Sequence, residues 1–582
     1  MILWLVASAL AQEPEVGPVS EGGTPTPSTG VVAPPDDGVG SSFSFNEDFE
    51  IRYWKVTERL PGFEDRQVLN YVEQVNRIVG TVSSGKWGFN VQVDEVALFA
   101  NRYYLDDVLY VERELVAPDT TNVMPGESYA NVEKIRLKYE TPDLNLALGD
   151  SYAAFGRGAA LNLNRNVDID IDSSIQGAKA IGHVGRFDLV GVVGQLNRQQ
   201  VFQDNPNAAA TEPIQDDRRH AVAGVRAEGY GFGPANIGAH AVYYKFTPER
   251  GLVEGFEQIA EPTPTTAVAG ATLELVGIGG IDWFAEGNFF SFSDDMPQPL
   301  PSADVDDPGY TAYVSASGYP GAFVVLVEGK RYYQGDRVNS FLGAAERYEV
   351  AIAPTLEYER AITEDSAAAL NSNDIWGGRV QVDWVAIPGK LTPYAALAVF
   401  RDRDLSAIQF SEVPETGYHP MVGVQYLGGH TTVIANAGYR TEDRDGRDPE
   451  NADRQLHGDS TIQFPVGPLI GDVAIGSEWF RWGINERQQT DYVEAETSWS
   501  LTWKSRGTLT WYNDFSNNPI IDSEGNLSER VYGAVEVQVK PTPAFTLKAF
   551  YGAYKAGIRC SGGQCRQLPG FEGARMSAVA TF

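Results

Sequence analysis

Val531-Tyr532-Gly533-Ala534-Val535-Glu536-Val537-Gln538-Val539-Lys540 puts a small or apolar residue at every odd position, while Glu536, Gln538 and Lys540 take even ones. Successive side chains of a strand point to opposite faces, so a period of two marks a half-buried β-strand; an amphipathic helix would repeat near 3.6. The pattern recurs in both directions along the chain. Trp87, Phe89, Val91 and Val93 alternate with Gly88, Asn90, Gln92 and Asp94, and Ile135, Leu137 and Tyr139 with Lys134, Arg136 and Lys138. Val380, Val382 and Trp384 alternate with Arg379, Gln381 and Asp383, and Val493, Ala495, Trp499, Leu501 and Trp503 with polar residues from Glu494 to Thr502. Convincing amphipathic helices are nearly absent.

The links between these runs come in two lengths. Tight ones include Thr141-Pro142-Asp143, Gly185-Arg186, Pro388-Gly389, Gly428-Gly429, Pro465-Val466-Gly467, Ser505-Arg506 and Pro541-Thr542-Pro543. Between them lie longer, polar and mostly acidic links such as 98–130, 198–217, 247–266, 333–376 and 553–571. A soluble sandwich has no reason to segregate loop lengths, whereas a membrane barrel has short turns on one rim and long loops on the other. Counting the runs predicts an all-β fold: a single large transmembrane antiparallel up-and-down β-barrel of about 24 strands, within the known range of about 8 to 26. The count is held to 22–26 strands, roughly the spread of such a reading. Residues 347–360 also look strand-like; counting them as a span would move Pro388-Gly389 to the long-loop rim, so they are assigned to the 333–376 excursion.

Composition limits the alternatives. The chain has 582 residues, more than the usual domain of roughly 50 to 250, so it needs several domains or one large closed architecture. With 45 Lys+Arg against 78 Asp+Glu, a net charge of -33 argues against a general nucleic-acid binder, which needs clustered cations facing phosphate. Aromatics at 11% argue against wholesale disorder, and two cysteines exclude a disulfide-dense scaffold or a multi-cysteine metal framework. No apolar run approaches the ~18 residues of a membrane helix.

Residues 1–11 read as a signal peptide closing in Ala9-Leu10-Ala11, although no basic residue precedes the apolar run; a buried N-terminal segment is the alternative. Residues 12–45, rich in Pro, Gly, Ser, Thr and acids, read as a disordered periplasmic tether, leaving 46–582 for the barrel. At the other end, Ala574, Met576, Ala578, Ala580 and Phe582 form the apolar face of a last strand. That strand resembles the C-terminal assembly signal of bacterial outer-membrane barrels, with Phe582 as its terminal aromatic; an ordinary edge strand is the competing reading. Trp and Tyr near strand ends, as at Tyr243-Tyr244, Tyr332-Tyr333 and Trp511-Tyr512, suit a membrane–water boundary.

Gly149-Asp150-Ser151-Tyr152-Ala153-Ala154-Phe155-Gly156-Arg157-Gly158-Ala159-Ala160-Leu161, followed by Asp168, Asp170, Asp172, Ser173, Ser174 and Gly177, resembles the signature block of an uncharacterised porin-like family of bacterial outer-membrane barrels, with Ser173 in place of an expected Asn. Ala353-Pro354-Thr355-Leu356 and the stretch from Ala367 to Gly378 resemble that family's Pro-containing outer loop and next strand. The resemblance implies a porin-like location in the outer membrane of a Gram-negative bacterium and brings no activity with it.

Candidate site residues follow from charge. Asp168, Asp170 and Asp172 set three carboxylates on one side of an extended segment, and like charges so close need a cation nearby. Lys134, Arg136 and Lys138 occupy the polar face of a neighbouring strand, which in a barrel is the lumen. The segment 156–174 is therefore expected to fold inward and face this ladder across a constriction, with Arg157 and Arg165 contributing; charged rings are how pores select solutes. A solvated outer loop is the plain alternative. Asp443, Asp445 and Asp448 flank a Gly turn with the oxygen-rich character of a calcium loop, but Arg444 and Arg447 and the missing EF-hand spacing favour an ordinary acidic loop. Cys560 and Cys565 flank Ser561-Gly562-Gly563-Gln564, a flexible ring that a disulfide could close in an oxidising compartment.

No Gly-x-Ser-x-Gly elbow, His-Glu-x-x-His or phosphate loop is present, so no enzyme and no cofactor are expected. The functional expectation is passage or binding of a small polar solute or ion through a charged lumen. Lipid, lipopolysaccharide and the barrel-assembly machinery are the expected partners. The alternative is a structural or assembly barrel whose long outer loops bind a partner without conducting.

Overall fold

In a computed structural model of the protein the described residues are 41–58, 66–103, 128–166, 171–198, 220–246, 265–293, 308–333, 374–402, 415–444, 452–482, 490–504, 506–517, 530–554, 557–561, 564–568 and 571–582. The strands are β1 (Ser41–Glu58), β2 (Arg66–Ser84), β3 (Trp87–Tyr103), β4 (Ser128–Glu140), β5 (Leu144–Ser151), β6 (Ala153–Phe155), β7 (Leu161–Leu163), β8 (Arg165–Asn166), β9 (Ile171–Val184) and β10 (Phe187–Arg198). They continue as β11 (Ala221–Phe232), β12 (Ala235–Lys245), β13 (Thr265–Ile278), β14 (Ile281–Phe292), β15 (Gly309–Gly318), β16 (Phe323–Tyr333), β17 (Asp374–Trp384), β18 (Leu391–Asp402), β19 (Glu415–Gly428) and β20 (Thr431–Arg444). The rest are β21 (Asp453–Val466), β22 (Leu469–Trp482), β23 (Thr490–Trp503), β24 (Gly507–Ser516), β25 (Arg530–Thr542), β26 (Phe545–Tyr554), β27 (Gly557–Ser561), β28 (Gln564–Leu568) and β29 (Phe571–Thr581).

Each wall strand pairs antiparallel with its neighbours in chain order, β5 passing directly to β9 and β26 to β29, and β29 returns to β1. The sheet joins 25 strands, one of them the two-residue β8 beside the start of β9, so the closed wall has 24. Its seam runs from Asn46 opposite Thr581 to Trp54 opposite Gly573. Beyond it, Phe45 N donates to Phe582 O at 2.9 Å and Phe582 N to Phe45 O at 2.7 Å. The strand count is the expected one, and Pro388-Gly389 lies in a tight link between β17 and β18. Residues 347–360 lie outside the described residues, as do 1–40 of the expected leader and tether; 41–45, expected as the end of the tether, instead open β1, where backbone pairing with 80–84 of β2 takes them into the wall.

Alternation sorts the wall into two faces. Outward stand Val535, Trp511, Val193 and Leu148, all exposed on the molecule's own surface, whereas Glu536, Thr510 and Val192 are buried inward. Aromatic residues mark both edges of the outward belt: Trp87, Phe187, Trp384 and Trp503 toward the short-turn rim, and Tyr243, Tyr310, Trp376 and Tyr418 toward the long-loop rim. Trp376 and Trp384 share β17, eight residues apart. At about 3.3 Å per residue and a tilt near 40°, they stand about 20 Å apart along the barrel axis, close to the ~25 Å apolar belt of such barrels.

On the inner face, two glycines permit contacts between strands that are not neighbours. Gly270 of β13 lets His240 of β12 meet Asn288 of β14 at 2.6 Å, and a side chain at Gly270 would collide with both. Gly438 of β20 plays the same part for His419 of β19 and His457 of β21, whose Nε2 atoms are 2.7 Å apart.

Val535→Arg, in the middle of the outward face of β25, should destabilise the barrel by about 2–4 kcal/mol, the cost of an arginine near the bilayer midplane, while Gln538→Arg on the inward face should change stability little. Urea unfolding from lipid vesicles measures both.

Candidate functional site

The wall leaves its regular path between β5 and β9. At Gly149, φ is +94° and a Cβ would run into the backbone oxygen of Ile135, so glycine is required where β5 parts from β4, two residues before β5 ends at Ser151. The next residues form a hairpin inside the barrel, with Ala153 opposite Leu163 and Phe155 opposite Leu161. Its tip closes with Gly158 N donating to Phe155 O at 3.1 Å, and Ser173 N donates to Asn164 O at 3.0 Å where the strap rejoins β9.

An apolar patch on the inner wall receives this strap. Phe155, Leu161 and Leu163 are buried against Ile175, Val192, Val222, Val242, Tyr244 and Phe290, contributed by β9 to β14. Burial of each large side chain contributes about 1.5–3 kcal/mol, because the alternative for both surfaces is a water-filled lumen. Gly224 makes room for Phe155: a methyl there would meet its ring at 2.7 Å.

Polar ties fix the register of the strap. Tyr244 Oη donates to Ala160 O at 2.6 Å, Arg226 Nη1 to Ala154 O at 3.0 Å, and Lys179 Nζ to Tyr152 O at 2.6 Å. At the tip, Arg157 N donates to the Glu286 carboxylate on β14 at 2.6 Å, and the Arg157 guanidinium lies 4.1 Å over the Tyr313 ring on β15. From there Tyr313 Oη donates to Glu328, which pairs with Arg379. The strap thus runs across six strand intervals from β9 to β15, roughly 29 Å of wall at about 4.8 Å each.

The sequence candidates divide among three places. Lys134, Asp172 and Arg165 meet at the root of the strap: Lys134 pairs with Asp172, Tyr152 Oη donates to Asp172 Oδ1 at 2.7 Å, and Arg165 Nε lies 3.9 Å from Asp172 Oδ2. Arg136 and Lys138 follow along the inner face of β4, and Arg157 sits at the far end of the strap, away from the ladder. Asp168 and Asp170 lie outside the described residues, as do Asp445 and Asp448; Asp443 is in β20, and no cluster of three metal-type ligands occurs among the described residues. β27 and β28 pair with Cys560 opposite Cys565 in the backbone register.

Glu286, Tyr244, Lys179, Arg226 and the apolar patch were missed by charge-based reading. Their signal was available. In Val190-Gly191-Val192-Val193, Ala241-Val242-Tyr243-Tyr244 and Phe289-Phe290 both faces are apolar, so alternation fails on neighbouring strands where the inner wall is covered.

No family model matches the chain, and no curated protein does. Among solved structures it is similar to the translocation pore of the P pilus usher PapC, at 11% identity and a TM-score of 0.40 over 93% of this chain and 99% of that one. It is also similar to a mutant ferric enterobactin receptor, PfeA of Pseudomonas aeruginosa, at 9% identity and 0.43 over 94% and 81%, and to the copper transporter OprC at 9% and 0.41 over 94% and 82%. Likenesses this loose carry no argument about what this chain does. The chain's own wall decides more. A closed antiparallel wall with an apolar outward belt, two aromatic girdles and one short-turn rim satisfies every requirement of spanning lipid with strands. The protein is a closed 24-strand antiparallel β-barrel with an apolar outer belt.

Phe155→Ala should loosen the docked strap by about 3 kcal/mol, the usual cost of removing a buried phenyl group. Hydrogen exchange should then speed up roughly 100-fold at the amides of 153–163, at about 1.4 kcal/mol per decade, with β25 unchanged.

Proposed function

We propose that the barrel passes or binds a small polar solute or ion through a charged lumen that the strap 152–166 narrows from one side. The observation that carries this reading is the placement of the strap: it is docked on the inner wall, in the path of anything crossing the barrel. A circular wall of 24 strands tilted by 35–45° is about 45–50 Å across, and one hairpin layer takes up about 10 Å of that. Charged and polar inner residues keep the passage wet.

The porin-like resemblance of 149–177 supports this reading. With this reading go a location in the outer membrane of a Gram-negative cell, export by a leader at 1–11, a tether from residue 12 to the start of β1 at Ser41, insertion assisted by the assembly machinery at the Phe582 strand, a Cys560–Cys565 disulfide, and lipopolysaccharide around the outer rim. The Lys134, Arg165 and Asp172 cluster is the proposed constriction, and Asp168 and Asp170, four and two residues before Asp172 in the sequence, are assigned to it as well.

Planar-bilayer recording tests this function. The full chain should give discrete conductance steps, and replacing 153–163 by a short Gly-Ser turn should raise the step size. Absence of steps at every voltage would overturn passage. Neutralising Asp168, Asp170 and Asp172 together should shift the reversal potential in a salt gradient; an unmoved potential would remove the constriction.

A further inference from the structure

Beneath the strap the inner wall gathers four cations, of which Lys138 and Arg226 have carboxylate partners and Arg136 and Lys179 are in no ion pair among the described residues. Lys138 of β4 and Lys179 of β9 stand in the same row, separated only by Ala147 of β5. One row on, Arg136 faces Gly149, which faces Gly177. The floor between the cationic side chains therefore carries nothing larger than a methyl group. Lys179 lies within electrostatic range of Arg136, Lys138 and Arg226 together.

Their possible counter-ions are already engaged. Asp150 accepts from Ile135 N at 2.8 Å, Ser174 Oγ at 3.0 Å and Asn197 Nδ2 at 2.7 Å. Glu140 lies 3.6 Å from Lys138, and Glu228 pairs with Arg226. What remains is the guanidinium of Arg136, whose buried Nε has no hydrogen-bond partner in the structure, and the ammonium of Lys179, whose hydrogen bond goes to a neutral carbonyl, Tyr152 O. A buried N–H donor without an acceptor is costly, and like charges held together add to that cost. An incoming anion removes both penalties. Guanidinium and ammonium groups over a bare floor fit an oxyanion of two or more charges, because the guanidinium can bind two oxygens and the ammonium groups neutralise the rest.

We propose that Arg136, Lys138 and Lys179, with Arg226 at the edge, form a lumen site for a multivalent oxyanion of the phosphate or sulfate class. This deepens the passage reading and rests on it for its physiological role, but binding can be measured without conduction. Calorimetry on the full chain in detergent, with tripolyphosphate and inorganic phosphate as probes, is the direct test. Wild type should bind tripolyphosphate, and Arg136→Met with Lys179→Met should weaken binding at least tenfold. Arg136→Lys with Lys179→Arg should retain most of the affinity, and Lys548→Met, elsewhere on the wall, should behave as wild type. Heat-modifiable gel mobility checks that each variant folds. No binding by folded wild type, or equal binding by the folded double methionine variant, would overturn the site. In bilayers the same probe should block current in wild type and not in the double methionine variant. A barrel that binds the probe yet never conducts would overturn passage and leave the site standing.

Discussion

A strand wall in lipid has no water to complete an unpaired backbone N–H or C=O, and each such group costs several kcal/mol. The pairing of β1 with β29 removes the only two edges that a 24-strand wall would otherwise have. Everything else hangs on that seam. Closure makes the alternation of side chains consistent around the whole ring, so one parity meets lipid and the other encloses water. It also explains why the chain can be long, polar on average and still belong in a membrane: each outward Val, Leu or Trp is averaged in sequence with an inward Gln, Glu or Lys.

Once the lumen is wet, an apolar patch inside it becomes a liability unless something covers it. The patch on β9 to β14 is covered by the strap, and the same water that disfavours the bare patch drives the docking. Specificity comes from polar groups at the two ends. Asp172, Lys134 and Tyr152 hold the root, and Glu286 and Tyr313 hold the tip. An apolar contact alone would tolerate sliding; hydrogen bonds to the carbonyls of Ala154 and Ala160 do not.

The net charge of -33 says little about what the lumen prefers. Exposed charges more than about 10 Å apart are largely screened in ordinary salt, so a solute inside the barrel responds to the side chains nearest to it. Beneath the strap those are Arg136, Lys138 and Lys179, brought together by strand register although 43 residues separate the first from the last.

Alternation such as that of Val531 to Lys540, the two classes of link and the apolar face ending in Phe582 were enough to read an up-and-down barrel and its strand number, because period and turn chemistry are local properties of the chain. The acidic run after Val167 and the basic run 134–138 were legible as charge, and the loss of alternation at Tyr243-Tyr244 and Phe289-Phe290 was there to be read. What those residues face was not. Whether Phe155 reaches Gly224, Arg157 finds Tyr313 or Lys179 stands beside Lys138 depends on which strands become neighbours and in what register. Register is a property of the closed ring, set by all of its hydrogen bonds at once, so only the tertiary structure could decide where the strap lies and which cations share a floor.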